Sequence, residues 1–194
     1  NTEQPGFDFD KVRTAASTMW NKDLSKVQVE GGTKDEKTIF YTGMYHLLIH
    51  PNILQDVNGE YPMMESLKVG HTTGNRYTVF SLWDTYRNVS TLMTLLYPER
   101  QLDIIRTMLD MYRENGWLPK WELYGRETFT MEGDPSIPYI VDAWMRGLRD
   151  FDEQTAYEAM RKGATTPGEF NLLRPDANDY FSKGYVPLRE QYDN

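Results

Sequence analysis

At 194 residues, with 21 Lys and Arg against 29 Asp and Glu, the chain has the size of one ordinary domain, and its acidic balance repels polyanions, which argues against a nucleic-acid partner. No stretch approaches the ~18 consecutive apolar residues of a membrane helix, and the opening Asn1-Thr2-Glu3-Gln4 has neither the basic nor the apolar region of an export signal, so such a signal is expected to be removed or upstream. The absence of cysteine excludes disulfides, thiolate metal sites and a Cys nucleophile.

Taken in chain order, apolar residues recur at helical spacing. The first predicted helix starts at Asp8 or Asp10 and runs to about Leu24, with Val12, Ala15, Ala16, Met19 and Leu24 on its stripe. The second follows Gly31-Gly32, with Thr33 as N-cap and Glu36 three residues later in a capping box, and runs until Pro51. A third spans about Val79 to Tyr97 and is apolar all round, which predicts burial on more than one side. Pro98 then opens a fourth, which ends at Asn115-Gly116. Asp134-Pro135 marks a fifth start, with Ile137, Ile140, Val141, Trp144, Met145 and Leu148 as its stripe, and Asp152 caps a sixth that runs to Gly163.

Connections of alternating length then order these helices in space. They are short at 25–33, 97–98 and 149–151, and long at 51–78, 117–133 and beyond 164, so antiparallel hairpins place every long loop on one end. The expected fold class is all-α, built of antiparallel helical hairpins. Half of an (α/α)6 toroid and a free three-hairpin bundle both satisfy that pattern.

The long loops carry the polar chemistry. Asp56-Val57-Asn58-Gly59-Glu60, His71, Asn75 and Arg76 lie in one; Trp117, Trp121, Glu122, Tyr124, Arg126 and Glu127 lie in another. Flat rings stack on the apolar faces of sugars, and carboxylates, amides and guanidinium groups match vicinal hydroxyls, so the mixture suits a carbohydrate pocket. Asp84, within Trp83-Asp84-Thr85, interrupts an apolar segment near the same rim. It either caps backbone or pairs with Arg87 on the next turn, or it binds ligand hydroxyls. Asp56 to Glu60 lacks the Glu that completes a calcium loop and reads as an Asx turn. His46 and His50 are four apart, but Leu47 and Leu48 intervene where a metalloprotease helix carries Glu, and a metal reading is disfavoured. Motifs for serine hydrolases, Walker nucleotidases and dinucleotide enzymes are absent from the sequence.

Four segments together resemble family 92 glycoside hydrolases: Phe40-Tyr41-Thr42-Gly43-Met44-Tyr45-His46, Asp56-Val57-Asn58-Gly59-Glu60-Tyr61, Tyr77-Thr78-Val79-Phe80-Ser81-Leu82-Trp83-Asp84-Thr85-Tyr86-Arg87 and Gly116-Trp117-Leu118-Pro119-Lys120-Trp121, with Gly184-Tyr185-Val186-Pro187 in addition. The resemblance implies an exported bacterial exo-α-mannosidase, periplasmic or secreted, that hydrolyses terminal α-linked mannose of mannans or N-glycans with inversion and uses Ca2+. It implies a fold in which an N-terminal β-sandwich meets an (α/α)6 toroid. On that basis residues 1–194 correspond to one partial domain, the N-terminal half of the toroid.

An inverting glycosidase needs a general acid and a general base about 6.5–9.5 Å apart. The resemblance places both downstream of Gly184-Tyr185-Val186-Pro187, so the catalytic pair and the calcium ligands are expected outside this chain, which alone should be inactive. What it carries over is substrate binding: Asp84 as an acceptor for mannose hydroxyls, oriented by Trp83 and Arg87, with Trp121 and Glu122 as looser candidates. Met131-Glu132-Gly133-Asp134 departs from the family pattern at Glu132. The expected partners are a mannoside and the remainder of the enzyme; the alternative is a non-catalytic helical module that binds carbohydrate or protein.

Overall fold

The computed structural model describes residues 6–188, so the opening Asn1-Thr2-Glu3-Gln4 lies outside the described residues. Two helices open the chain, α1 (Phe9–Leu24) and α2 (Lys34–Leu47). Asp8 caps α1 by accepting from the Lys11 amide at 3.0 Å. The Thr33 capping box is formed, with the Glu36 amide on the Thr33 hydroxyl and the Thr33 amide on the Glu36 carboxylate. α2 stops at the Leu48 cap, short of Pro51.

The remaining helices are α3 (Leu82–Thr85), α4 (Val89–Leu96), α5 (Pro98–Asn115), α6 (Ser136–Met145), α7 (Glu153–Thr165) and α8 (Ala177–Lys183). The core gathers on α5, where Ile104, Ile105, Met108, Leu109 and Met111 are buried to 1% exposure or less. Their spacing leaves only one stripe of α5 polar. α4 packs on α5 across the tight turn at Tyr97, α6 packs on α7, and the two hairpins stack side by side. Buried Gln101 joins three helices, donating to Ser90 on α4 at 2.9 Å and accepting from Tyr139 on α6 at 2.8 Å. The α1–α2 hairpin docks through Lys26, which donates to the Leu96 carbonyl, and through Tyr97, which donates to the Asp23 carbonyl.

Two expectations need correction. The third helix is not continuous: it breaks at Tyr86, Arg87 and Asn88 into α3 and α4. Asn88, at φ −133° and ψ −36°, is neither helical nor extended, and its carbonyl begins the new ladder by accepting from the Leu92 amide. The expected burial on more than one side holds for α4, which packs on both α5 and α6, although Leu95 is 75% exposed. The fifth helix begins at Ser136, and Asp134 does not cap it.

The long loops hold three small antiparallel ladders, too short for alternation to register in the sequence. β1 (Asn52–Ile53) pairs with β4 (Tyr77–Thr78), β2 (Glu60–Pro62) with β3 (Val69–His71), and β5 (Glu122–Leu123) with β6 (Arg126–Glu127). The turn before β2 is an Asx turn in which Asn58 accepts from the Glu60 amide. Gly59 there has φ +86°, and a Cβ on it would stand 2.3 Å from the Thr72 carbonyl, so only glycine fits.

Candidate functional site

The long connections meet at one rim. The Phe80 amide donates to the Glu122 carbonyl at 2.9 Å, joining the exit of β4 to β5. The Glu65 amide donates to the Gly125 carbonyl at 2.9 Å, and the Glu127 amide returns to the Glu65 carboxylate at 2.7 Å, which fastens the β2–β3 hairpin to the β5–β6 hairpin. Lys162, at the end of α7, donates to the Gly116 carbonyl at 2.7 Å and stands 4.5 Å over the Trp117 ring, which brings the third connection to the same place.

Beneath the rim a buried ion pair supports β4. Arg76 and Glu114 face each other in a two-point bond, at 3.1 and 2.9 Å, with side chains 1% and 6% exposed. Glu114 also accepts from the Tyr61 hydroxyl and the Met64 amide, and the Arg76 guanidinium lies 4.4 Å from the Tyr61 ring. Burial first, and the Glu114 bond second, push the Tyr61 hydroxyl up to about 12.

Glu122 is fully buried. Its carboxylate accepts from the Thr78 hydroxyl, the Val79 amide and the Gly125 amide. Burial raises its pKa, while those donors favour the charged form. The Thr78 hydroxyl in turn accepts from the Tyr124 amide at 2.8 Å. Directly above this carboxylate, Val79 has φ +67°, a left-handed conformation rare for a β-branched residue. Such backbone strain costs about 1–3 kcal/mol and persists where its surroundings fix it.

Val79 turns the chain into Ser81 and α3, where Trp83 and Asp84 sit. Asp84 is exposed, and one of its oxygens accepts from the Ser81 hydroxyl. Of the alternatives for Asp84, the pairing with Arg87 is not formed: Arg87 lies over the Trp83 and Tyr86 rings, at 5.2 and 5.0 Å. Trp121 is half-buried, and its amide, with those of Lys120 and Phe129, donates to the Glu127 carboxylate, which fixes the loop backbone. Trp83, Asp84, Arg87 and Trp121 thus reach the surface of the rim, while Glu122 lies underneath.

Asp134 stands apart from these groups. It is 7% exposed, neither carboxylate oxygen has a hydrogen-bond partner, and Oδ2 packs so closely on α7 that a Cβ on Gly163 would lie 2.7 Å from it. Burial pushes its pKa up to about 6, against a smaller downward pull from Arg174 and Lys120. The folded chain therefore binds a proton that the unfolded chain releases near 3.8, and stability falls as pH rises from about 4 to 6. Asp134→Asn is expected to remove that dependence and raise stability at neutral pH. At 1.36 kcal/mol per pH unit the gain is at most about 3 kcal/mol, read from unfolding midpoints at pH 4 and pH 7.

Among the described residues no three His, Asp or Glu side chains gather around one point, and the orphaned carboxylate of Asp134 shares its surroundings with Lys120 and Arg174, a field that repels a cation. His50 lies beyond the end of α2 and pairs with Asn52 at 3.2 Å, so it does not share a helix face with His46.

Sequence patterning did not disclose the Arg76–Glu114 pair, the carboxylate staple of Glu122 or the orphan Asp134. The first two join residues 38 and 44 apart in sequence. The one local signal is Glu122, which stands between Trp121 and Leu123-Tyr124, since buried charges need partners.

The whole chain, residues 1–194, matches the glycosyl hydrolase family 92 catalytic domain. Among solved structures it is similar to a family 92 α-mannosidase from Bacteroides thetaiotaomicron, with 34% identity, a TM-score of 0.86 and 96% of this chain covered. The same α-mannosidase is known in complex with mannoimidazole. It is also similar to a family 92 inverting mannosidase from the same organism, with 32% identity, a TM-score of 0.89 and 98% covered. It spans 25% and 26% of those two chains. An uncharacterized secreted glycosidase of Arthroderma benhamiae is 29% identical over 98% of this chain, which spans 21% of that protein.

Proposed function

The chain belongs to the catalytic domain of glycoside hydrolase family 92, and from that premise we propose that it forms part of the substrate-binding rim of an α-mannosidase that hydrolyses terminal α-linked mannose. It corresponds to the first half of the helical toroid, with the acid and base of an inverting reaction supplied by other parts of the enzyme. The observation that supports the reading is the convergence of the long loops, in which the segment leading to Trp83, Asp84 and Arg87 is bonded through Val79 and Phe80 to Glu122, the neighbour of Trp121.

Each group has a distinct task. One Asp84 oxygen is taken by Ser81, and the other is placed to accept from a mannose hydroxyl. The Ser81 bond limits rotation of the carboxylate, so less freedom is lost when sugar binds. Arg87 donates to a neighbouring hydroxyl while its flat face stays on Trp83. Trp121 stacks on an apolar sugar face, and Glu122 acts from below through backbone amides.

Calcium enters this proposal only as the family's metal, with ligands from outside the described residues. Export fits the similarity to a secreted glycosidase, and no described helix is long and apolar enough to cross a membrane. Adding an aryl α-mannoside and an α-mannobiose to a polypeptide that joins this chain to the rest of such an enzyme should release mannose. An equal preference for α-glucosides would reject the assignment.

A further inference from the structure

We propose that Glu122 is a positioning residue whose carboxylate holds Val79 in its left-handed conformation and thereby sets where Trp83 and Asp84 stand on the rim. This rests on the reading of Trp83 and Asp84 as mannoside contacts. Three observations on different atoms point to it. Val79 is a β-branched residue at φ +67°, a geometry that its own side chain disfavours. Its amide donates to a carboxylate with no exposure at all, at 3.1 Å. The same carboxylate binds the residue before Val79 through the Thr78 hydroxyl, and the Phe80 amide beyond it binds the Glu122 carbonyl at 2.9 Å. Glu122 thus grips the chain before, at and after the strained residue.

The consequence is directional. Phe80 is buried to 1%, and Ser81 follows as the residue before α3, so the reversal at Val79 fixes both the start of α3 and the direction in which it leaves the core. If the carboxylate no longer accepts from the Val79 amide, valine relaxes toward an extended φ, and Trp83 and Asp84 move with the segment. A glutamine at 122 presents an NH2 group to amide donors and loses at least one of those bonds. Glycine at 79 adopts positive φ without penalty, so it keeps the reversal when the grip is weakened.

The test compares Glu122→Gln, Val79→Gly and the double variant in an active polypeptide that contains this chain. Glu122→Gln should lower kcat/KM by about tenfold, mainly through KM, and adding Val79→Gly should recover most of that loss. Because glycine at positive φ also relieves strain in the fold, the readouts that separate positioning from support of the fold are KM and the environment of Trp83, with unfolding midpoints measured beside them. The fluorine resonance of fluorotryptophan-labelled Trp83, assigned with Trp83→Phe, should shift in Glu122→Gln and return in the double variant. A double variant as impaired as Glu122→Gln, with the resonance still displaced, overturns the proposal. A resonance that moves and returns while mannoside kinetics stay constant supports positioning and rejects the mannoside reading.

Discussion

Truncation of Glu114 to alanine should destabilise the protein by about 3–5 kcal/mol, because it strands a buried guanidinium. Arg76 is 2% exposed and its Nε already lacks a partner, so without Glu114 it has no ion pair among the described residues, and only the more distant Glu122 charge acts on it. The Tyr61 hydroxyl and the Met64 amide lose their acceptor in the same step. Domains are stable by only about 5–15 kcal/mol, so the loss is a large part of the total. At a slope of about 2 kcal/mol per molar urea the transition should move down by about 1.5–2.5 M. A shift below 0.5 M would mean that water reaches Arg76 and that the pair is not a keystone of β4. The damage should extend to function, since Arg76 immediately precedes Tyr77 and Thr78, on which Val79 and the rim are mounted.

Asp84→Ala should act in the opposite manner, lowering kcat/KM on mannosides by tenfold or more and leaving the unfolding transition nearly unmoved. Hydrogen bonds to charged groups contribute about 1.5–3 kcal/mol, and 1.4 kcal/mol already corresponds to tenfold in rate. Asp84 is exposed, and its hydrogen bond runs to Ser81 in its own first turn, so the fold depends little on it. Asp84→Asn keeps the shape and one acceptor oxygen and should fall between the parent and the alanine variant. Kinetics of Asp84→Ala equal to the parent would remove this residue from the site.

Much of this arrangement was legible in the chain itself. The capping box at Thr33, the Pro98 start, the Gly116 stop and the Asp152 cap are local chemistry, and each appears where its residues lie. Loop lengths were enough to bring the 51–78 and 117–133 connections to one end. The break at Asn88 was not legible, because nothing there is glycine or proline and Tyr86, Val89 and Leu92 keep helical spacing across it. Exposure of Leu95 was hidden for a related reason: composition records that a face is apolar and not what lies against it. The environments of Glu122 and Asp134 depend on contacts made after folding. Both are acids in a long loop, yet Glu122 meets amide and hydroxyl donors while Asp134 meets the backbone of Gly163. Burial pushes both carboxyls up, in Glu122 against its donors and in Asp134 against Arg174 and Lys120.

The most direct test of the site is a crystal structure of an active polypeptide containing this chain with mannoimidazole bound. The account predicts the mannose-shaped ring against Trp83 or Trp121, with an Asp84 oxygen about 2.6–3.0 Å from a ring hydroxyl. An inhibitor bound at full occupancy elsewhere, with Asp84 still facing open solvent, would contradict it.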